Sequence, residues 1–413
     1  MSHSEPPLVS LDLQSPAFKQ NPFPTLARLR ELGPVVRIRM PIVGKVWLVT
    51  TYDAVNELLR NHEQFVQSPQ AAGNRWMSGL MRWLPRNLRP LTTHMLIRDE
   101  PDHRRLRSLV DQAFQRQSVE ALRPRLEALA DEALDDLAQR AAGSPRSVDL
   151  VEHFARPFPL SVICELLGLP PEDRPNFTRW GSAFTNARTV LGIVRGVFEL
   201  SKLMRYVREE IQRQSQRPRG GLLAALIQAE ESGDRLSEEE LLAMVFLLLV
   251  AGHETTLHQI AGSVLILLDH PDQLRELTAD WSLADSAVQE LLRYLSFAQL
   301  TKPRFARQDV EFCGRQIRRG QILMACLASA NSDPSRFENP DRLDLRRPAN
   351  RHVAFGAGIH VCLGAKLARV ETEIALQRLF TRLPRLSLAI PRDRVQFTRR
   401  FGARGLVTLP VRW

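Results

Sequence analysis

The residues best suited to chemistry lie in Phe355-Gly356-Ala357-Gly358-Ile359-His360-Val361-Cys362-Leu363-Gly364. Apolar positions Leu363, Leu367, Val370 and Ile374 follow at helical spacing, which puts Cys362 at a helix N-terminus. There the helix dipole favours a thiolate, and glycines on both sides let backbone N–H groups approach the sulfur. Such a thiolate suits an axial position on iron, whereas a lone cysteine is otherwise a small buried hydrophobe. A dinucleotide loop is excluded, because the third glycine of GxGxxG would fall at 361, which is Val.

A second group, Ala251-Gly252-His253-Glu254-Thr255-Thr256, interrupts the apolar run that begins at Leu241. Ser237 and Glu240 have capping-box spacing and predict a helix starting there, apolar all round and therefore buried. Polar groups inside such a helix need partners. Two readings fit: a kinked helix at Gly252 with back-bonded threonine hydroxyls, or a site with an acid and an alcohol. A zinc hydrolase is excluded, because His253 and His258 are five apart, about 140° around the helix, and cannot share one metal.

Most of the remaining chain reads as helix. Strand signals occur over Val35 to Met40, Val46 to Thr51, and Phe305 to Met324 broken by Gly314 and Gly320. No repeat or domain linker interrupts it. The net charge is +10, and Lys19, Lys45, Lys202, Lys302 and Lys366 are the only lysines among 56 basic residues. The arginines are scattered from Arg28 to Arg412 with 7% aromatic residues, which argues against nucleic-acid binding. The four cysteines form no CxxC pair, so a reducing cytoplasm fits. The N-terminus lacks signal-peptide regions, and the longest apolar run is too short to span a bilayer, so no membrane association is expected.

The FxxGxxxCxG pattern from Phe355 to Gly364 resembles the haem-binding loop of the cytochrome P-450 family. Glu290-Leu291-Leu292-Arg293 resembles that family's ExxR helix, Ala251 to Thr256 its oxygen-activating AGxET segment, and His103 to Arg107 the HxxxR of its C helix. Arg404-Gly405-Leu406 and Leu409-Pro410-Val411 extend the resemblance to the end of the chain; Glu100 departs from it where bacterial members often carry a second Pro.

The resemblance implies a mainly α fold with small β-sheets (α+β) in a single domain over 1–413, since residues 103, 254, 304 and 362 would all touch one cofactor. That cofactor would be haem b (iron protoporphyrin IX), with Cys362 as iron ligand in the loop bounded by Phe355 and Gly364. His103, Arg107, Arg304 and His360 would bind its propionates. Glu254 and Thr255 would serve oxygen activation, and Glu290, Arg293 and Arg342 would form a buried structural network. The implied function is monooxygenation, inserting one atom of O2 into a hydrophobic small molecule such as a terpenoid, polyketide, steroid or fatty acid. Electrons would come from a separate ferredoxin or flavodoxin with its reductase, because no flavin or iron–sulfur segment follows Trp413. Docking would use Arg104, Arg105 and Lys366, and the protein would act as a monomer.

A peroxide-driven peroxygenase and a non-catalytic haem-binding protein are the alternatives, but neither needs an acid and alcohol such as Glu254 and Thr255. By the same resemblance the pocket is lined by residues 67–93 (Trp76, Met77, Leu80, Met81 and Trp83), by Phe177 to Phe198, by Phe246, Leu247 and Val250, and by Leu295 to Leu300. Arg75, Arg82, Arg86 and Arg89 either anchor a substrate carboxylate or are solvated.

Overall fold

A computed structural model describes residues 8–10, 12–40, 43–74, 94–115, 119–142, 147–185, 190–231 and 233–413. The central element is the helix Glu238–Asp269. Its capping box forms as expected: the Ser237 hydroxyl accepts from the Glu240 N–H at 3.3 Å, and the Glu240 carboxylate accepts from the Ser237 N–H at 2.9 Å. Three glutamates in the first turn face the positive end of the dipole. Being apolar on every side, the helix packs against Pro157–Leu167, Val190–Gln216, Ala284–Leu295 and Ala365–Arg382. Its length and hydropathy would allow a membrane span, but most of that apolar surface is buried in the fold.

Both strand regions form. A five-stranded sheet runs in the order Val35–Met40, Gly44–Val49, Ile322–Ala325, Arg304–Ala306, Phe65–Val66, joining the N-terminal hairpin to a segment nearly 300 residues away. Val310–Phe312 and Arg315–Ile317 form a separate hairpin whose turn residues, Cys313 and Gly314, have φ of 49° and 71°. A three-stranded sheet ties Pro410–Arg412 to Ser387–Leu388 and Val148–Asp149.

Of the two readings of the Gly252 segment, a broken helix is not what forms. The helix runs unbroken through Gly252, and a Cβ there would lie 3.2 Å from Ile163 Cδ1, so the glycine serves the close approach of Pro157–Leu167. The back-bond does form: the Thr255 hydroxyl donates to the Ala251 carbonyl at 2.5 Å. Ala251 and Thr255 are exposed although the helix on both sides of them is largely buried, so this turn is open.

Candidate active site

The loop before Ala365–Arg382 is held by its backbone. The Cys362 N–H donates to the Phe355 carbonyl at 3.0 Å, and Arg107 Nη1 donates to the Val361 carbonyl at 2.8 Å. Gly358, at φ 72°, lies so close to the helix Tyr52–Arg60 that a Cβ would fall 2.2 Å from the Leu59 carbonyl oxygen. No other residue type fits there. Gly364 precedes the first turn of Ala365–Arg382.

Cys362 alone among the four cysteines is exposed. It lies in a recess, where desolvation pushes its thiol up while the Gly364 N–H and Arg107 oppose that shift. Burial drives the Cys164 and Cys326 thiols to about 12 and about 11, which leaves them as inert core residues.

Beside this loop the chain collects cationic and imidazole groups that it does not satisfy. His103 is 2% exposed, and its ring lies 4.2 Å from that of His360, edge to face. The Nδ1 atoms of both rings, Nδ1 of His94 and Nε of Arg304 are buried without a hydrogen-bond partner. Burial, with His103, Arg304, Arg107 and Lys302 around it, lowers His360 to about 3. Burial and Lys302 lower His94 to about 4, and burial lowers Arg304 to about 10. Unsatisfied buried polar atoms are costly, and the concentration of a guanidinium N–H and three imidazole nitrogens at one place suits an anionic acceptor from outside the chain. A group that brings two carboxylates to this rim and an iron to the adjacent cysteine meets that demand, so the residues present fit haem. Arg107 stands apart from the unsatisfied set, with its Nε on Asp111 at 3.0 Å and Nη1 on the cysteine loop.

On the long helix, Glu254 pairs with Arg400 of the C-terminal segment; their side chains are 18% and 52% exposed. His253 donates from Nε2 to the Arg156 carbonyl at 3.1 Å and is lowered to about 4 by burial and Arg156, so it is a neutral structural residue. Phe246, Leu247 and Val250 precede the open turn on the same helix. Trp76, Met77, Leu80, Met81 and Trp83, with Arg75, Arg82, Arg86 and Arg89, lie outside the described residues.

The Glu290 network forms with a different third member. Arg293 binds Glu290 through Nε and Nη2, both at 2.7 Å, with both side chains fully buried. Arg347, not Arg342, supplies the second guanidinium, with Nε 3.1 Å from each carboxylate oxygen. Arg342 is exposed and offers only its carbonyl, to Arg293 at 3.4 Å and to Arg347 at 3.1 Å. The chain turns after Leu343, where the Asp344 N–H itself donates to Glu290, and this turn brings residue 347 inward.

A second correction concerns Arg105, which pairs with Asp234 and Glu240 and so belongs to the start of the long helix. Arg104 is 78% exposed beside Glu100, and Lys366 pairs with Glu120. Sequence reasoning missed His94, Arg347 and Arg400. None sits in a periodic or motif context, and each acquires its role only through residues distant in sequence.

The family profile of Cytochrome P450 matches residues 198–384. Cytochrome P450 107B1 of Saccharopolyspora erythraea is 42% identical over 96% of each chain. The vitamin D(3) 25-hydroxylase of Pseudonocardia autotrophica is 40% identical over 97% of this chain and 96% of its own. Among solved structures, the cytochrome P450 PksS of the Bacillus subtilis bacillaene polyketide synthase superposes with a TM-score of 0.87 at 35% identity, covering 97% of this chain and 99% of its own.

Proposed function

Because the chain belongs to the cytochrome P450 family, we propose that Cys362 is its iron ligand, that His103, Arg107, Arg304 and His360, joined by His94, hold the propionates, and that Glu254 and Thr255 deliver protons. The protein is a haem-thiolate monooxygenase carrying haem b. Haem, when bound, supplies the reductive activation of O2, one atom going to an organic substrate and the other leaving as water.

The residues around it do the rest. The short Phe355–Gly364 loop and the Gly364 N–H orient the thiolate and favour its charge. The unsatisfied imidazole and guanidinium atoms take the carboxylates. Thr255 Oγ1, donating to Ala251, presents its lone pairs to the open turn and can hold a proton for transfer there. Glu254, next to Thr255 in the chain and paired with the half-exposed Arg400, is the carboxylate that can relay protons inward. Phe246, Leu247 and Val250 offer an apolar wall, suited to a polyketide or steroid-like substrate. The vitamin D(3) hydroxylase and the polyketide-synthase P450 among the relatives support that substrate class. The electron donor is a separate acidic ferredoxin or flavodoxin docking near Arg104, where a hollow of about 510 Å³ lies beside His62, Arg107 and Ile359. A monomer in a reducing cytoplasm fits four cysteines that form no disulfide.

The unpartnered buried imidazole and guanidinium atoms beside Cys362 carry this reading. The test is Thr255→Ala in the reconstituted system, scored by product formed per NAD(P)H consumed. Haem and substrate binding should persist while reductant is diverted to hydrogen peroxide. Full coupling would instead favour the peroxide-driven alternative.

A further inference from the structure

The N-terminal helix Pro16–Gln20 is remote in sequence from every site residue named above, yet it buries a lysine. Lys19 is 1% exposed, and its Nζ donates to Gln299 Oε1 and to the Ala403 carbonyl, both at 2.6 Å. Neither acceptor is a carboxylate. Burial and the adjacent Arg404 guanidinium lower the ammonium to about 8, with Asp12 pulling the other way. Arg404 in turn donates to the carbonyls of Lys19 at 2.8 Å and Gln20 at 3.0 Å.

The two segments gripped by Lys19 are also bound to each other. The N–H groups of Gln299 and Leu300 donate to the Gly402 carbonyl at 2.8 and 3.2 Å, and the Arg404 N–H donates to the Phe297 carbonyl at 2.8 Å. A Cβ on Gly402 would lie 3.2 Å from Leu300 Cβ, so the contact extends to side chains. One segment continues the Leu295 to Leu300 wall. The other lies just beyond Arg400, the partner of Glu254.

A buried ammonium with only neutral acceptors is a poor source of stability, since an apolar side chain of similar length would fill the space without desolvating a charge. Its directed hydrogen bonds instead specify one relative placement of the groups they join. We propose that Lys19 is a positioning residue of the substrate pocket, fixing the 297–300 segment against the 402–404 segment through Gln299 and the Ala403 carbonyl. It thereby sets the wall that selects substrate and the point from which Arg400 reaches Glu254. The inference rests on the reading of Leu295 to Leu300 as pocket wall.

The experiment compares two ligands of the haem iron in the holoenzyme, imidazole and phenylimidazole, each titrated by its Soret shift. Imidazole reports on the iron alone; the phenyl group adds contact with the walls. Lys19→Met should weaken phenylimidazole about five- to tenfold and leave imidazole within about twofold, with the ferrous–CO band retained. Gln299→Ala cuts the same strut from the other side and should give the same split, and the double variant should add little. An unchanged affinity ratio in either folded variant overturns the proposal. If Lys19→Met does not take up haem, Gln299→Ala decides by the same criterion. Failure of the haem-thiolate reading would look different: the unaltered protein would show neither the CO band nor an imidazole response.

Discussion

Glu290 accepts hydrogen bonds from four residues, Arg293, Arg347, Asp344 and Asn350, while His103, nearly as deeply buried, makes no hydrogen bond at Nδ1 and has only the Glu100 carboxylate 3.9 Å away. Both regions gather charged or titratable groups out of water, and both lie near the Cys362 loop in the fold. In the first, every donor finds an acceptor within the chain: Arg293 adds the carbonyls of Asn331 and Pro340, each at 2.8 Å. In the second, His94, Arg304 and His360 repeat the deficit of His103. A saturated cluster holds the fold together. Isolated unpartnered atoms occur elsewhere, on Arg404 and His258 for example, but a group of them gathered beside an exposed cysteine is suited to a ligand that supplies the missing partners.

Cys362→His gives the largest effect that the comparison predicts, since it changes the ligand that the unsaturated region surrounds. The ferrous–CO band at about 450 nm and all monooxygenation should disappear. Cys164→Ala, Cys313→Ala and Cys326→Ala should leave the spectrum intact. A Cys362→His protein that kept both properties would remove the centre of the site.

Breaking the saturated region should unfold the protein whether or not haem is present. Arg347→Ala leaves Glu290 short of a buried partner and should cost about 3–5 kcal/mol in denaturant unfolding, against about 0.5 kcal/mol or less for the exposed Arg342→Ala. Equal losses at the two positions would restore Arg342 to the network.

Arg304→Met should separate the two regions most sharply. Arg304 holds one long internal bond, from Nη1 to the Phe65 carbonyl at 3.2 Å, while its buried Nε has no partner, so its removal should change the stability of the haem-free protein by no more than about 1 kcal/mol. Haem should nevertheless be lost roughly ten- to a hundredfold more readily to an excess of an acceptor protein. If the haem-free protein lost as much stability as Arg347→Ala does, Arg304 would belong with the saturated kind.

The smallest predicted effect is a pH slope from imidazoles away from the cysteine. Burial lowers His253 and His352 to about 4 and His258 to about 3. Below the ordinary histidine value the unfolded chain takes protons that the folded chain refuses. Stability therefore falls with acidification from about pH 6.5 toward those lowered values, each histidine adding to the slope. His258 stacks on Phe297 with ring centroids 4.8 Å apart, so His258→Phe should keep the packing and remove one such slope. An unchanged slope in that variant would mean His258 is charged in the folded protein.

Local pattern carried much of this molecule. The capping box at Ser237, the all-round apolar helix after it and the glycine-bracketed Cys362 are readable because each depends on neighbours within a few residues and on a period of 3.6. The Thr255 back-bond belongs with them, since its acceptor is one turn away. Even the Glu290/Arg293 pair is local, three residues apart on one helix.

What a charge does when its partner lies far along the chain was decided by the fold. Arg342 and Arg347 are equivalent as sequence, and only the turn at Asp344 selects which one enters. Glu254 acquires Arg400 from 146 residues away, and Lys19 meets Ala403 across 384. An arginine-rich chain offers many candidates for each such role, and intrinsic chemistry does not rank them. Burial does, because it turns a solvated charge into one that must be matched, and burial is a property of the packed chain.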